Sequence, residues 1–349
     1  MPERTLIERI WYGSGPAAGL GRALLTPAER VFGGVAGLRD ILYDAGWLPV
    51  RDPEIPAVSV GNLTVGGTGK TPVAAWIARE LVARGTHPAI VLRGYGDDEP
   101  LVHRALNPDV PVIVGADRVT AIARAHAQGA DIVVLDDAFQ HRRVRRVADF
   151  VLVSADRWTA TMHLLPAGPW REPLRAIRRA TLIIVTRKTA SDAEVDAVNE
   201  RLAAVAPHVR RVSVGLEPCD LVSATDERPR EALGTLAGAR VRAVLSIADP
   251  DSFIRQLERL GARVEPFVFR DHHAFTNADV RRVTNGLGAD DRVLCTLKDA
   301  VKLAPRWPRF GPPLWYVSQQ VKVERGVGGI EHVLDDLVRA RFKTLPTAG

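Results

Sequence analysis

The sequence predicts an α/β protein with a mostly parallel sheet covered by helices, preceded by amphipathic helices and followed by a smaller second α/β domain. From residue 57 onward, short segments rich in β-branched residues alternate with helical segments. Several of these strands are apolar along their whole length, which is typical of parallel strands buried on both faces. The length of 349 residues is enough for two domains, and a composition with 46% hydrophobic and 25% charged residues excludes a disordered chain.

Amphipathic helices are predicted within residues 1–50. Trp, Tyr and Leu side chains alternate there with basic ones, and the breaks at Gly13–Pro16 and at Pro27 predict two or three helices. Helices of this composition either lie in a bilayer interface or pack on the protein's own core, and the pattern favours neither alternative. No run of 18 apolar residues occurs, so no membrane-spanning helix is expected.

Residues 51–220 are predicted to form the larger α/β domain. Its helix at Pro72–Arg84 begins with a proline and ends just before Gly85, the expected start and stop signals. The predicted strands are Ala57–Val60, Ala89–Leu92, Val112–Val114, Asp131–Leu135, Phe150–Val153 and Leu182–Val185. The other predicted helices are Arg118–Gln128 and Asp192–Val205.

Residues 221–349 are predicted to form the smaller domain, with the polar segment 219–240 as a linker. The strand and helix signals repeat there on a smaller scale. The predicted strands are Val241–Leu245, Arg263–Phe269, Val293–Cys295 and Leu314–Val317. The predicted helices are Pro250–Leu260, Asn277–Gly286 and Ile330–Phe342.

A glycine-rich turn lies between the first strand of the larger domain and the helix after it. Glycines let backbone N–H groups turn inward around phosphate oxygens, and the helix N-terminus adds a positive dipole. Lys70 can reach the β- and γ-phosphates, and Thr71 can ligate Mg²⁺. Thr64 stands where the usual pattern has its first glycine, but the strand before and the helix after the turn favour a P-loop NTPase-like core over a ligand-free turn. The predicted nucleotide-binding residues are Thr64, Gly66, Gly67, Thr68, Gly69, Lys70 and Thr71.

The apolar strand at 131–135 is followed by two carboxylates, Asp136 and Asp137. In a parallel sheet this strand end lies beside the glycine-rich turn, where P-loop proteins hold Mg²⁺ with an aspartate. The alternative is a helix N-cap with a solvated neighbour. We favour the metal role, with Thr71, Asp136 and Asp137 as ligands, and expect Gln140 and His141 to point into the same crevice.

Taken in order along the chain, these motifs resemble the tetraacyldisaccharide 4′-kinase family, the lipid A 4′-kinases. The resemblance extends from about residue 20 to 320, and its combination of a glycine-rich turn with an Asp-Asp-x-x-Gln-His motif is specific. The segments that carry it are Val60–Pro72, Arg93–Gly96, Gly115–Arg118, Asp136–His141, Leu165–Glu172, Asp271–His273 and Thr296–Lys302.

The resemblance implies a kinase that uses ATP and Mg²⁺ to phosphorylate the 4′-hydroxyl of a tetraacylated glucosamine disaccharide 1-phosphate in lipid A biosynthesis. It also implies a peripheral or monotopic protein at the cytoplasmic face of the bacterial inner membrane. Residues 1–50 would then contact an anionic membrane surface.

Individual roles also follow from the resemblance. It makes Asp98 the catalytic base and His272 the residue that orients it. The positions expected to contact substrate are Glu99, Arg118, Gln140, His141 and Arg171. Relatives commonly have a longer segment before the Gly-Asp-Glu-Pro motif, whereas here Gly96 is followed directly by Asp97, which replaces the motif's glycine.

Two other classes of protein remain as alternatives. One is a P-loop ATPase or GTPase switch, or a metallochaperone, that acts on a protein partner. A GTPase should contain the guanine-binding pattern N/T-K-x-D, which is matched neither at Thr186–Lys188 nor at Thr296–Asp299. The other is a nucleic-acid-binding ATPase, suggested only by the formal net charge of +6. No recognition motif supports it, so we expect no nucleic acid, and no obligate protein partner is evident from the sequence.

Overall fold

The computed structural model describes residues 6–94, 96, 98–159, 162–225, 229–288 and 291–343. The strands are β1 (Ala57–Asn62), β2 (Pro88–Leu92), β3 (Val112–Val114), β4 (Ile132–Asp136), β5 (Ala148–Ser154), β6 (Leu182–Arg187), β7 (Arg210–Ser223), β8 (Arg230–Ala232), β9 (Arg240–Leu245), β10 (Arg263–Val268), β11 (Arg292–Thr296) and β12 (Leu314–Arg325). The helices are α1 (Leu6–Tyr12), α2 (Pro16–Asp44), α3 (Lys70–Ala83), α4 (Asp98–Leu106), α5 (Arg118–Ala127), α6 (Asp192–Val205), α7 (Pro250–Arg259), α8 (Asn277–Thr284), α9 (Leu297–Leu303) and α10 (Val327–Ala340).

The strands form one 12-stranded sheet. Its order is β10-β9-β11-β12-β7-β6-β5-β1-β4-β2-β3, and β8 pairs with β7. Neighbouring strands are parallel except where β7 meets β12 and β8, which run antiparallel to it. The predicted mostly parallel sheet is therefore confirmed, and β1 lies between β4 and β5 as the metal-site hypothesis required.

The two predicted α/β domains share this sheet, because β7 crosses residue 220 and pairs with β12 from Ser213 to Ser223. The segment 219–240 is thus not the predicted linker: its first residues complete β7, and 230–232 form β8. The division of the chain at residues 50 and 220 stays a prediction.

The core is built on both faces of the central strands. Every residue of β1 is buried. Val58 and Val60 pack with Ile77 of α3 in one hydrophobic cluster, whereas Ala57 packs with Ile122 of α5 in another, because successive side chains point to opposite faces. Full burial of a Val or Ile side chain stabilises a fold by about 1.5–3 kcal/mol, so these layers fix the strand ends from which the candidate site is built.

The N-terminal region forms two helices, since Pro27 lies inside α2 without ending it. Only Ala18 and Ala36 of α2 are buried, and many of its larger apolar side chains are exposed. These exposed side chains are Leu20, Leu24, Val31, Val35, Leu38 and Ile41. Within the described ranges, the chain contains no helix both long and apolar enough to cross a bilayer.

Candidate active site

A cavity of about 1320 Å³ opens at the carboxyl edge of the sheet and is lined by residues from both sides of position 220. Most of the predicted site residues line it, although Thr64 and Asp98 do not. The ones that do are Gly66, Gly67, Thr68, Gly69, Lys70, Thr71, Glu99, Arg118, Asp136, Asp137, Gln140, His141, Arg171 and His272. Residues scattered over more than half of the sequence therefore meet in one cleft.

The glycine-rich turn has the backbone that its sequence predicts. Gly66 and Gly69 have φ values of 107° and 86°, a region that favours glycine. The side chain of Thr186 on β6 donates a hydrogen bond to the carbonyl of Thr68 (2.9 Å), and Asn62 donates to its hydroxyl (2.9 Å). Helix α3 begins directly after Gly69, so its first N–H groups face the cleft as in an anion-binding site.

Asp137 lies next to this turn and joins Lys70 to Arg171. The Lys70 Nζ atom is 3.7 Å from Asp137 Oδ1, and Arg171 Nη1 donates to both oxygens at 2.9 and 3.0 Å. Burial alone would raise the pKa of Asp137, but Lys70 and Arg171 outweigh it and hold the pKa below its usual range. Gln140 is anchored beside them, because its amide donates to the Asn62 carbonyl at 2.9 Å.

Asp136 is buried and is held by a residue that the sequence analysis missed. His103 Nε2 lies 2.8 Å from Asp136 Oδ2, and both side chains are almost fully buried. Arg118 donates to the Gly115 carbonyl at 2.6 Å and reaches the Asp136 carbonyl at 3.5 Å. His103 is in α4, a helix that was not predicted, so no sequence signal linked it to Asp136.

The oxygen atoms near the turn fit Mg²⁺, which prefers carboxylate, hydroxyl and phosphate ligands. Asp136 Oδ1 is buried and has no hydrogen-bond partner among the described residues, and Asp137 and Thr71 line the same cleft. In the described part of the chain, no group of three or more acidic, His or Cys side chains could hold a metal. Mg²⁺ usually binds one or two carboxylates and takes further ligands from substrate phosphates.

The pKa values of two other cleft residues are shifted from their usual range. Burial and the nearby charge of Asp136 raise the pKa of Glu99 to about 7. Burial and the nearby cations Arg118 and Arg146 lower the pKa of His141. Such shifts are concentrated at functional sites, which supports a role in the cleft for both residues.

Asp98 and His272 are hydrogen-bonded although 174 positions separate them. His272 Nδ1 lies 3.0 Å from Asp98 Oδ1, and the Asp98 side chain is buried. Gly96, with φ of 88°, passes so close that a Cβ there would lie 2.8 Å from His272 Nδ1 and 2.9 Å from Asp98 Oδ1. This glycine is therefore required by contact as well as by backbone conformation. Asp97, which replaces the motif's glycine, lies outside the described residues.

Two lysines of α9 complete the surroundings of this pair. Lys298 Nζ lies 3.1 Å from His272 Nε2 and 3.8 Å from Asp98 Oδ2, and Lys302 Nζ lies 3.6 Å from Asp98 Oδ2. Burial would raise the pKa of Asp98, but the hydrogen bond from His272 and the charge of Lys298 outweigh it and lower the pKa. Both lysines belong to a motif that carried the resemblance, but the sequence analysis gave them no role.

Comparison with known proteins identifies the family. The family model described as tetraacyldisaccharide-1-P 4′-kinase matches residues 21–105 and 96–339. The chain is 37% identical to the tetraacyldisaccharide 4′-kinase of Anaeromyxobacter sp. (strain Fw109-5), covering 95% of this chain and 96% of the relative. It is 36% identical to that of Azoarcus sp. (strain BH72), covering 95% of each.

A crystal structure agrees with these sequence matches. LpxK from Aquifex aeolicus in complex with ATP is similar with a TM-score of 0.70 and 25% identity, covering 91% of this chain and 99% of that one. The cleft, the fold and the matches along the chain agree, and the chain belongs to the tetraacyldisaccharide-1-phosphate 4′-kinase family.

Proposed function

We propose that this kinase transfers the γ-phosphoryl group of ATP to the 4′-hydroxyl of a tetraacylated glucosamine disaccharide 1-phosphate in the cleft described above. The observation that carries the proposal is the convergence of the glycine-rich turn, the Asp136–Asp137 strand end and His272 on that cleft, with Asp98 hydrogen-bonded to His272 behind it, in a chain of this family. Each of the three supplies a different part of phosphoryl transfer.

The triphosphate is bound by the turn and by nearby cations. The LpxK relative from Aquifex aeolicus binds ATP, and we assign the same nucleotide to the Gly66–Thr71 turn here. Lys70 and Arg171, which both contact Asp137, are placed to neutralise phosphate charge. Thr71, Asp136 and Asp137 would hold Mg²⁺, which when bound neutralises charge on the phosphates.

The acceptor hydroxyl must lose its proton as its oxygen attacks phosphorus. We assign the proton to Asp98: its Oδ1 accepts a hydrogen bond from His272, and its Oδ2, although buried, has no hydrogen-bond partner among the described residues. A bond forms between the 4′-oxygen and the γ-phosphorus, the bond from that phosphorus to the β,γ-bridging oxygen breaks, and ADP leaves. A positioned carboxylate typically contributes about 10²–10⁴-fold to such a step.

The remaining predicted cleft residues are proposed to bind the disaccharide and its phosphate. Glu99, Arg118, Gln140 and His141 line the cleft, together with Arg171. They provide donors and acceptors of the kind that sugar hydroxyls and a phosphate require.

We also propose that α2 lies at a membrane surface. Its exposed Leu, Val and Ile side chains form an apolar stripe, and Arg30 is exposed on the same helix. A helix of this kind binds an anionic bilayer through buried apolar area and electrostatic attraction. Since ATP is cytoplasmic and the acceptor is a lipid, we place the enzyme at the cytoplasmic face of the inner membrane.

The decisive experiment measures phosphate transfer from γ-labelled ATP with the acyl disaccharide 1-phosphate in mixed micelles. We expect Mg²⁺-dependent, lipid-dependent ADP formation, with one phosphate added at the 4′-position as located by mass spectrometry. ADP formation at the same rate without lipid, and no labelled lipid, would support the alternative of a P-loop ATPase that acts on a protein partner.

A further inference from the structure

We propose that Lys298 is a positioning residue that fixes the tautomer of His272, so that the imidazole presents its Nδ1–H to Asp98. The inference deepens the proposed function, because it assumes that Asp98 is the catalytic base. It rests on the contacts of three side chains from different parts of the chain: Asp98 at the start of α4, His272 after β10 and Lys298 on α9.

The hydrogen-bond donors and acceptors determine the tautomer. A lysine ammonium group has three donors and no acceptor, so the His272 Nε2 atom that lies 3.1 Å from Lys298 Nζ must accept. The ring hydrogen is then on Nδ1, which lies 3.0 Å from Asp98 Oδ1 and donates to that carboxylate. The opposite tautomer would place an N–H against the ammonium group and a lone pair against the carboxylate, and both contacts would be repulsive.

Lys298 is itself held in place. Its Nζ atom donates to Asp271 Oδ1 at 2.9 Å. Helix α9 carries it at the second position, after a cap in which Thr296 accepts a hydrogen bond from the Asp299 backbone. Helix α4, which begins at Asp98, packs directly against α9. The position of the Lys298 ammonium group is therefore determined by helix α9 and by the contact with Asp271.

The charges around His272 explain why such a residue is needed. The hydrogen bond to Asp98 raises the pKa of His272, and Lys298 opposes that rise. Without Lys298, His272 would more readily become an imidazolium ion, and Asp98 paired with that cation would be a weaker base. The other charged groups that face the pair are Asp271 on the same loop, Glu99 on α4 and Lys302 on α9.

Three variants separate the possible effects. Lys298→Met keeps the length of the side chain but removes the charge and the donors, and Lys298→Arg restores both. Lys322→Met is the matched control, because Lys322 is an exposed residue of β12 that pairs with Glu217. All three should fold, since the Lys298 side chain is partly exposed and contacts the cleft.

The first measurement is the ¹⁵N NMR spectrum of the full chain labelled at histidine, with the His272 signals assigned by their absence in His272→Gln. We expect a protonated Nδ1 and an unprotonated Nε2 in the natural protein and in Lys298→Arg. Lys298→Met should show the other tautomer or the imidazolium ion. A natural protein with the proton on Nε2 would overturn the proposal without any reference to activity.

The second measurement is kcat as a function of pH. Loss of the like charge beside His272 favours the imidazolium ion, so the acidic limb of the Lys298→Met profile should move about 1 pH unit upward, while the KM for ATP and the Lys322→Met profile stay unchanged. An unmoved limb in Lys298→Met would refute the inference. If the NMR result holds but Asp98→Asn remains active, the positioning by Lys298 stands and the assignment of Asp98 as the base fails.

Discussion

Replacing Gly96 by alanine is predicted to inactivate the kinase by separating Asp98 from His272. An added Cβ would lie 2.8 Å from His272 Nδ1 and 2.9 Å from Asp98 Oδ1, well inside van der Waals contact. Because these two atoms share one hydrogen bond, neither can move away without lengthening it. The φ of 88° adds strain of about 1–2 kcal/mol for an L-residue. We expect kcat to fall by about 10²–10⁴-fold, the usual contribution of a positioned acid–base group.

Gly129→Ala provides the matched control. Gly129 has a φ of 91°, and a Cβ added there would meet no atom within 4 Å. The two variants therefore share the backbone strain but only Gly96→Ala disturbs the pair. Thermal unfolding should show the loss of stability from backbone strain in both variants and a further loss in Gly96→Ala, and lipid phosphorylation at saturating ATP should be lost in Gly96→Ala alone. Equal kcat values in the two variants would refute the assignment of the Asp98–His272 pair to catalysis.

Three further results are expected. Lys70→Ala should nearly abolish turnover while circular dichroism and thermal unfolding stay unchanged; a variant that kept most of its kcat would remove the glycine-rich turn from the mechanism. Asp98→Ala and His272→Ala should each lower kcat by about 10²–10⁴-fold, and the double variant should lose little more, because residues that act as a unit are non-additive. Additive losses would contradict this, and an active Asp98→Ala with an inactive Asp97→Ala would move the base by one residue. Leu24→Asp should weaken co-sedimentation with anionic vesicles more than ATP binding, since its side chain is 73% exposed on α2; unchanged co-sedimentation would exclude that face from membrane contact.

The strands of the sheet could be predicted because their signal is local. Fully apolar segments such as those at β4 and β6 are nearly unambiguous, and their predicted bounds agree with the structure to within about two residues. Helix α4 was missed because it is short and contains Pro100, which the first turn of a helix nevertheless tolerates. Strand β7 was missed, and the polar residues from 219 onward were assigned to a linker. Pro218 of this strand is accommodated where the pairing with β12 changes register, between Val317 and Gln319.

In the candidate site, too, the local features could be predicted from the sequence and the contacts that depend on packing could not. The glycine-rich turn and the Asp136–Asp137 strand end could be predicted because each is a contiguous motif whose spacing carries the chemistry. The contact of His103 with Asp136 depends on how α4 packs, and the contact of Lys298 with His272 depends on how α9 lies against the loop after β10; no local pattern records either packing. The resemblance supplied the pairing of Asp98 with His272, which the residues alone would not have suggested.

The register between β7 and β12 determines where the Asp98–His272 pair lies. Asp98 follows β2 and His272 follows β10, and these strands lie near opposite edges of the sheet. They meet because α4 packs on α9, and α9 continues directly from β11, the parallel neighbour of β12. A slip of one residue between β7 and β12 would move β12, β11 and α9 together by about 3.4 Å along the strand. That distance exceeds the 3.0 Å hydrogen bond between His272 and Asp98, so the antiparallel pairing that joins the two halves of the chain also holds the proposed base in its place.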